Sequence, residues 1–313
     1  MDPICHTLTG LAMGHAGLKR RTPLALVTLA LAANAPDLDI AVLATSTVQM
    51  SFRRGWTHGP PAMVVLPLAL TALVVAFDRL VRQRRVPAPA PVVPGQVLWL
   101  AALATWTHPL LDYMNSYGIR LLMPFSGRWF YGDALYIVDP WLYLLLGVGV
   151  VWAARSRSTA GGTRAARVAL AAATLYVALM FGSNLWARSV VQAGLTRAGR
   201  PEARFMVTPV AVNPFHREVI IDIGESYEKG FVNFLPAPHF RPAGYGVTKN
   251  DALPAATAAA ATERGRQFLA WSRFPFYVIA PSATGYTVTL NDARYSGPSG
   301  QDGWAGVIVE VPR

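Results

Sequence analysis

Acidic side chains are nearly missing from the first part of this chain. Residues 1–195 hold no glutamate and seven aspartates, Asp2, Asp37, Asp39, Asp78, Asp112, Asp133 and Asp139, whereas ten acids follow residue 195. Charged residues make up 14% of the 313, against about 25% in an ordinary soluble domain. Cysteine occurs once, as Cys5, which excludes an internal disulfide framework. Two catalytic signatures are absent as well: no GxSxG marks a nucleophile elbow, and no HExxH marks a zinc protease. Cys5 and His6 are sequence neighbours, so they cannot face each other along a helix as a nucleophile and its base.

Apolar residues fill the gap, at 53% of the chain. The runs 61–80, 96–114, 134–154 and 167–187 reach or approach the roughly 20 residues that a spanning helix needs. A fifth run, 22–48, is long enough but is interrupted by PDLD at 36–39, where Pro36 is expected to break the helix. Residues 4–18 are short and amphipathic, suited to a half-span or an interfacial helix. The start, MDPICHTLTGLAMGHAGLKRR, lacks a basic leader and does not read as a cleaved signal peptide.

The net charge of +11 would suit nucleic acid, but the early basic residues sit in short clusters between apolar runs. That is the membrane pattern, and no nucleic-acid partner is expected. Placing Lys19, Arg20 and Arg21, then Arg79 to Arg85, then Arg155 to Arg167 in the cytoplasm lets the spans alternate without conflict. Loops 49–60 and 113–133 then face outward, and the chain leaves its last span on the outer side.

The link VRQRRVPAPAPVVPGQ (81–96) is proline-rich and expected to be extended. After residue 195 the pattern changes. REVIIDIG, KGFVNFL, PFYVIAPS, GYTVTLND and WAGVIVEV read as short strands, and 252–273 as one helix. The expected fold is mainly α: a polytopic helical membrane domain over 1–190, then a small α+β extracytoplasmic domain over 196–313.

Ionisable groups inside spans are costly, and those that persist are usually paired and functional. His108 and Asp112 share a helix face at i, i+4, at the outer end of their span. Pro109 is expected to start or kink the helix there. His58, His6 and the pair Asp37 and Asp39 fall at the same level, so the six can meet near the outer interface. Imidazole with carboxylate suits zinc, and carboxylate-rich sets suit manganese or magnesium. His15 lies toward the opposite end and reads as packing. Asp78 reads as an interfacial charge beside Arg79, Asp133 and Asp139 as helix caps, and His216 and His239 as structural.

Four motifs occur in order over roughly residues 1–190: HTLTG (6–10), PDLD (36–39), RRGWTHG (53–59) and HPLLDYMNSYGIRLLMPFSGRW (108–129). Together they resemble the YdjM-like family of inner-membrane proteins, to which metal-dependent hydrolysis is ascribed. NPFHREVI and NDARYS look like the outer domain of longer family members. The family is thought to be distantly similar to zinc-dependent phospholipases C and single-strand nucleases, helical proteins whose His and Asp ligands hold zinc. The resemblance implies His6, Asp37, Asp39, His58, His108 and Asp112 as ligands. Those soluble proteins also use a glutamate, which residues 1–195 lack, so one or two ions are expected rather than three.

The expected function is a metal-dependent phosphoesterase of the outer face of the inner membrane, acting on a membrane lipid or a lipid-linked phosphate. One of Asp37 and Asp39 would bind metal; the other would act as general base or orient a histidine. Arg53 and Arg54 would clamp the phosphate. Arg120 and Arg128 would extend that rim or anchor to headgroups. Two other classes stay open: an ion- or proton-coupled transporter, and a non-catalytic scaffold in which metal pins the helices and the outer domain binds a partner.

Overall fold

The computed structural model describes residues 1–45, 48, 52–297 and 305–312. Residues 49–51 of the expected outer loop and Trp304 of the expected last strand lie outside them. The chain forms two compact units. One comprises Met1–Ile40 and Arg54–Ser183, and the other Ala41–Arg53 and Asn184–Arg313.

The first unit is helical. Helix α1, Pro3–His15, opens with Pro3 in its first turn and with Asp2 capping the amides of Ile4 and Cys5 at 2.9 and 3.4 Å. It does not lie on a surface as an interfacial helix would. Cys5, His6, Thr9, Gly10, Ala12, Met13, Gly14 and His15 are all buried, so the helix is enclosed on most sides. Gly10 and Gly14 let it lie close to α2, Ala25–Asn34, because a Cβ at Gly10 would meet the carbonyl of Leu29. After α2 the helix does not open into a turn at PDLD. It tightens into a 3-10 helix over Ala35–Ala44, a local solution to the missing N–H of Pro36.

Helix α3, Ala62–Phe77, carries Pro67 in its interior, which leaves the carbonyl of Met63 without its amide partner. The indole Nε1–H of Trp106, from helix α4 (Pro94–Tyr113), donates to that carbonyl at 3.0 Å. Asp78, in the π-helical turn Asp78–Arg82, is buried. It pairs with Arg82 rather than with Arg79, and it accepts the amide of Val92 at 3.0 Å, tying down the proline-rich link. Pro109 neither starts nor ends α4, which runs through it to Tyr113.

Helix α5, Pro140–Arg155, begins later than hydropathy suggested because Asp139 caps the amides of Trp141 and Leu142. Helix α6, Thr159–Arg197, runs 39 residues, well past the expected span. Among the described residues, three helical stretches are long and apolar enough to cross a membrane: Ala25–Ala44, Ala62–Arg82 and Thr159–Arg197. α4 has similar length but carries Gln96, His108 and Asp112, and α5 is shorter.

The second unit is α+β. Strands β1 (Phe205–Pro209), β2 (His216–Asp222), β3 (Ser226–Asn233) and β4 (His239–Thr248) form an antiparallel sheet in sequential order. β5 (Pro275–Pro281), β6 (Gly285–Asp292) and β7 (Val307–Pro312) form a second one. The final turns of α6, through Ala187, Val191 and Leu195, pack on β1–β3, so the division between the units falls inside that helix. Val48 belongs here too, its amide donating to Gln267 at 3.1 Å. The single helix expected over 252–273 is two, α7 (Pro254–Ala261) and α8 (Glu263–Trp271). Thr262 adopts an extended conformation between them and caps α8 at Gly265 N, 3.0 Å away. β1 and β4 were not anticipated; β4 is mostly exposed and carries Pro242, Gly244 and Gly246, which mask the strand pattern.

Asp292 ends β6 and accepts from Ser272, Arg273, Phe274 and Arg294, joining the sheet to the turn after α8. Burial alone would raise its carboxyl, but the Arg294 guanidinium and these hydrogen bonds hold it down to about 2, from 3.8. A depressed folded value stabilises fully above the unfolded value and is lost as pH falls through the folded one. At about 1.36 kcal/mol per pKa unit this amounts to about 2 kcal/mol. Acidification from pH 6 to 2 should therefore weaken the wild-type unit by about that much more than the Asp292→Asn protein. Urea titration read by pulsed hydrogen exchange in peptides over 272–296 measures the difference.

Candidate metal centre

Four segments of the first unit converge on one polar cluster. α4 supplies His108 and Asp112 one turn apart, and α1 supplies His6. The 3-10 helix supplies Asp37 and Asp39, and the loop before α3 supplies Arg54, Thr57 and His58. His6, His108 and Asp112 have no exposure and His58 has 1%. The rings of His6 and His108 stack with centroids 3.6 Å apart.

The polar atoms meet closely. His58 Nε2 and His108 Nε2 are 3.1 Å apart and lie 3.4 and 3.5 Å from Asp112 Oδ2. His6 Nε2 is 3.4 Å from Asp112 Oδ1, and Asp37 Oδ1 is 3.8 Å from His108 Nε2. Two groups have ligand-type atoms close enough for one ion: His58, His108 and Asp112, and His6, Asp37 and His108. Asp39 faces the other side of His58. Its Oδ2 accepts the hydroxyl of Thr57 at 3.1 Å and the amide of Arg54 at 2.7 Å, and it lies 3.6 Å from His58 Nδ1. Two residues along a 3-10 helix turn about 240°, so the aspartates of PDLD diverge by geometry.

The outer hydrogen bonds assign the tautomers. His108 Nδ1 is 2.6 Å from the carbonyl of Ala33, which can only accept, so Nδ1 carries the hydrogen. That carbonyl is available because its 3-10 partner would be the nitrogen of Pro36, which has none. The Thr57 hydroxyl gives its hydrogen to Asp39, so at 2.9 Å it accepts from His58 Nδ1. Both Nε2 atoms thus present lone pairs to each other and to a carboxylate. Facing lone pairs at this distance repel unless a cation or a proton lies between them. The ligand atoms of a tetrahedral zinc, each at 2.0–2.1 Å from the ion, are about 3.3 Å apart, so the residues present fit such an ion. His6 adds a second sign: both its ring nitrogens are buried without a hydrogen bond.

Arg54 is not a peripheral cation. It is buried, with Nε 2.9 Å from Asp112 Oδ2, Nη1 2.9 Å from Asn115 Oδ1 and Nη2 3.0 Å from the carbonyl of Met1. Its guanidinium carbon sits 4.7 Å from the centre of the Tyr117 ring. The amino group of Met1 also pairs with Asp112. Arg53 belongs to the second unit, and the cluster is built from first-unit residues alone. Arg120 and Arg128 lie over the rings of Trp129 and Phe130. His15 is 3.2 Å from the amine of Lys19, away from the site. Composition and spacing did not single out Thr57, Asn115 or the Ala33 carbonyl. The adjacency of Thr57 to His58 and the i, i+3 step from Asp112 to Asn115 were the available signals.

These elements define an α-helical membrane protein with a buried His/Asp cluster among its helices and an α+β unit after them. The profile of the YdjM inner membrane protein family matches residues 1–187, and the chain belongs to that family. It is also 27% identical over 157 residues to uncharacterized protein YfhP of Bacillus subtilis (strain 168). That match covers 46% of this chain and 43% of YfhP, so the similarity spans less than half of either protein. No solved structure matches the chain.

Removing one partner of a buried ion pair typically costs about 3–5 kcal/mol. Arg54→Met should therefore lower the melting temperature of detergent-purified protein sharply, and Arg54→Lys should not restore it, because lysine lacks the planar fork. A surface phosphate clamp would instead leave both variants with the wild-type melting temperature.

Proposed function

We propose that this protein is a membrane-bound metal-dependent hydrolase, of phosphoesterase type, acting on a lipid or lipid-linked phosphate. One observation carries the reading: His58 Nε2, His108 Nε2 and Asp112 Oδ2 converge within 3.1–3.5 Å, with the two imidazole nitrogens turned toward each other as acceptors. When bound, a divalent ion supplies Lewis acidity and lowers the pKa of the water it holds toward 7. Three imidazoles with carboxylates favour zinc over magnesium.

His6, His58, His108 and Asp112 are assigned to hold the ion. His108 belongs to both ligand groups but has only Nε2 to offer, so it can serve one ion, and we take the two groups as one centre. Asp37, with Oδ1 3.8 Å from His108 Nε2, is assigned to take the proton of the attacking water. Asp39 acts through His58, which it and Thr57 hold in the ligating tautomer. The basic clusters support an outward-facing site and an extracytoplasmic α+β unit in a multi-pass protein of the inner membrane.

Complete burial of the ligands favours a second reading, in which the ion pins the helices without chemistry. A groove that reaches His58 speaks for substrate access.

Metal analysis of purified protein, followed by a phosphate-ester screen, separates these readings. About one ion per chain, absent from the His108→Ala, Asp112→Ala double variant, is expected. Asp39→Asn should keep the ion but bind it about 10- to 100-fold more weakly. No metal after reconstitution with zinc, manganese and magnesium would overturn the proposal. A stoichiometric ion with no hydrolysis of any ester would leave the pinning role.

A further inference from the structure

Helices α3 and α4 leave a groove of about 540 Å³ between them, with His58, Met63, Val64, Trp106, Leu110 and Leu121 among its walls. Val64, Trp106 and Leu110 are each more than half exposed. α3 is one of the stretches apolar enough to cross a membrane, and within it only Pro67 and Val74 are buried. The groove therefore opens onto lipid. Its one imidazole is His58, whose Nε2 belongs to the cluster, 3.1 Å from His108 Nε2. The indole of Trp106 is already bound to the Met63 carbonyl, so it offers no free donor to a ligand.

We propose that this groove seats one hydrocarbon chain of a lipid, which enters sideways from the bilayer and brings its phosphate up to His58. The occupant follows from the walls. Apart from His58 and Tyr113, the walls have no side chain free to pair with a backbone group, so a polypeptide would leave most of its buried amides and carbonyls unpaired, at a cost of about 1–3 kcal/mol for each. A hydrocarbon chain has no such groups, and only the end at His58 calls for a polar head. The inference rests on the hydrolase reading of the cluster and adds how the substrate arrives: laterally, with Met63, Val64 and Leu110 selecting for chain rather than headgroup.

The test uses the full-length protein in nanodiscs of phosphatidylethanolamine and phosphatidylglycerol, doped with a phospholipid carrying a diazirine on one acyl chain. Irradiation and peptide mapping should place the labels on Met63, Val64 and Leu110. Labelling there should fall about tenfold, the equivalent of about 1.4 kcal/mol, in Leu110→Trp and in Val64→Trp, which fill the groove from opposite walls. Wild-type metal content in either variant would show that its cluster is intact. Labels spread evenly over the outward faces of α3 would overturn the proposal. Groove labelling in a wild type that binds no metal would support the lipid seat and sink the hydrolase reading. Metal and soluble-ester hydrolysis without groove labelling would do the reverse.

Discussion

The carboxylate of Asp112 is the constraint on which the helical unit depends. It has no exposure, and an isolated charge in such a place would cost far more than the protein's net stability. It is kept there by a guanidinium on one oxygen, the Met1 amino group on the other, and three imidazoles close by. These partners come from three stretches of chain: the N-terminal segment with α1, the loop 54–58, and α4 itself. Satisfying one buried charge therefore fixes α1, α4 and the loop 54–58 against each other, and the convergence of the histidines is a by-product of that fixation.

The same rule explains several local features that look unrelated. Where lipid replaces water, a freed backbone group must find a partner within the protein. Pro67 frees the Met63 carbonyl and Trp106 takes it. Pro36 removes the short-range partner of the Ala33 carbonyl, and His108 takes that, which leaves its other nitrogen to face His58. The amide of Val92 finds Asp78, and that of Val93 finds Thr22. Prolines that would only weaken a soluble helix here direct polar side chains to defined positions.

Much of this was legible from residue order. A near absence of acids over 195 residues marked the helical part, and the few remaining ionisable groups marked the cluster, because each one must have a reason to be there. The i, i+4 step from His108 to Asp112 is a local property of a helix. The strands of the second unit announced themselves where β-branched residues alternate, as in β2, β6 and β7, but not in β4, whose glycines and Pro242 hide it. Thr262 divided a helix that composition alone would have continued, since alanine content does not register a cap.

Sequence by itself determined the class of the protein, its two-part composition and the set of side chains able to hold an ion, because those follow from hydropathy and residue type. Tertiary structure decided the roles within that set. Asp37 and Asp39 are two letters apart and chemically alike, yet a 3-10 twist turns one toward the histidines and the other behind them. Arg53 and Arg54 are adjacent and identical, yet they fall in different compact units, and Arg54 lies against the buried carboxylate of Asp112. Pattern identifies which groups can carry charge or bind metal; only packing determines which partner each one meets, and for a group out of reach of water that partner sets what it can do.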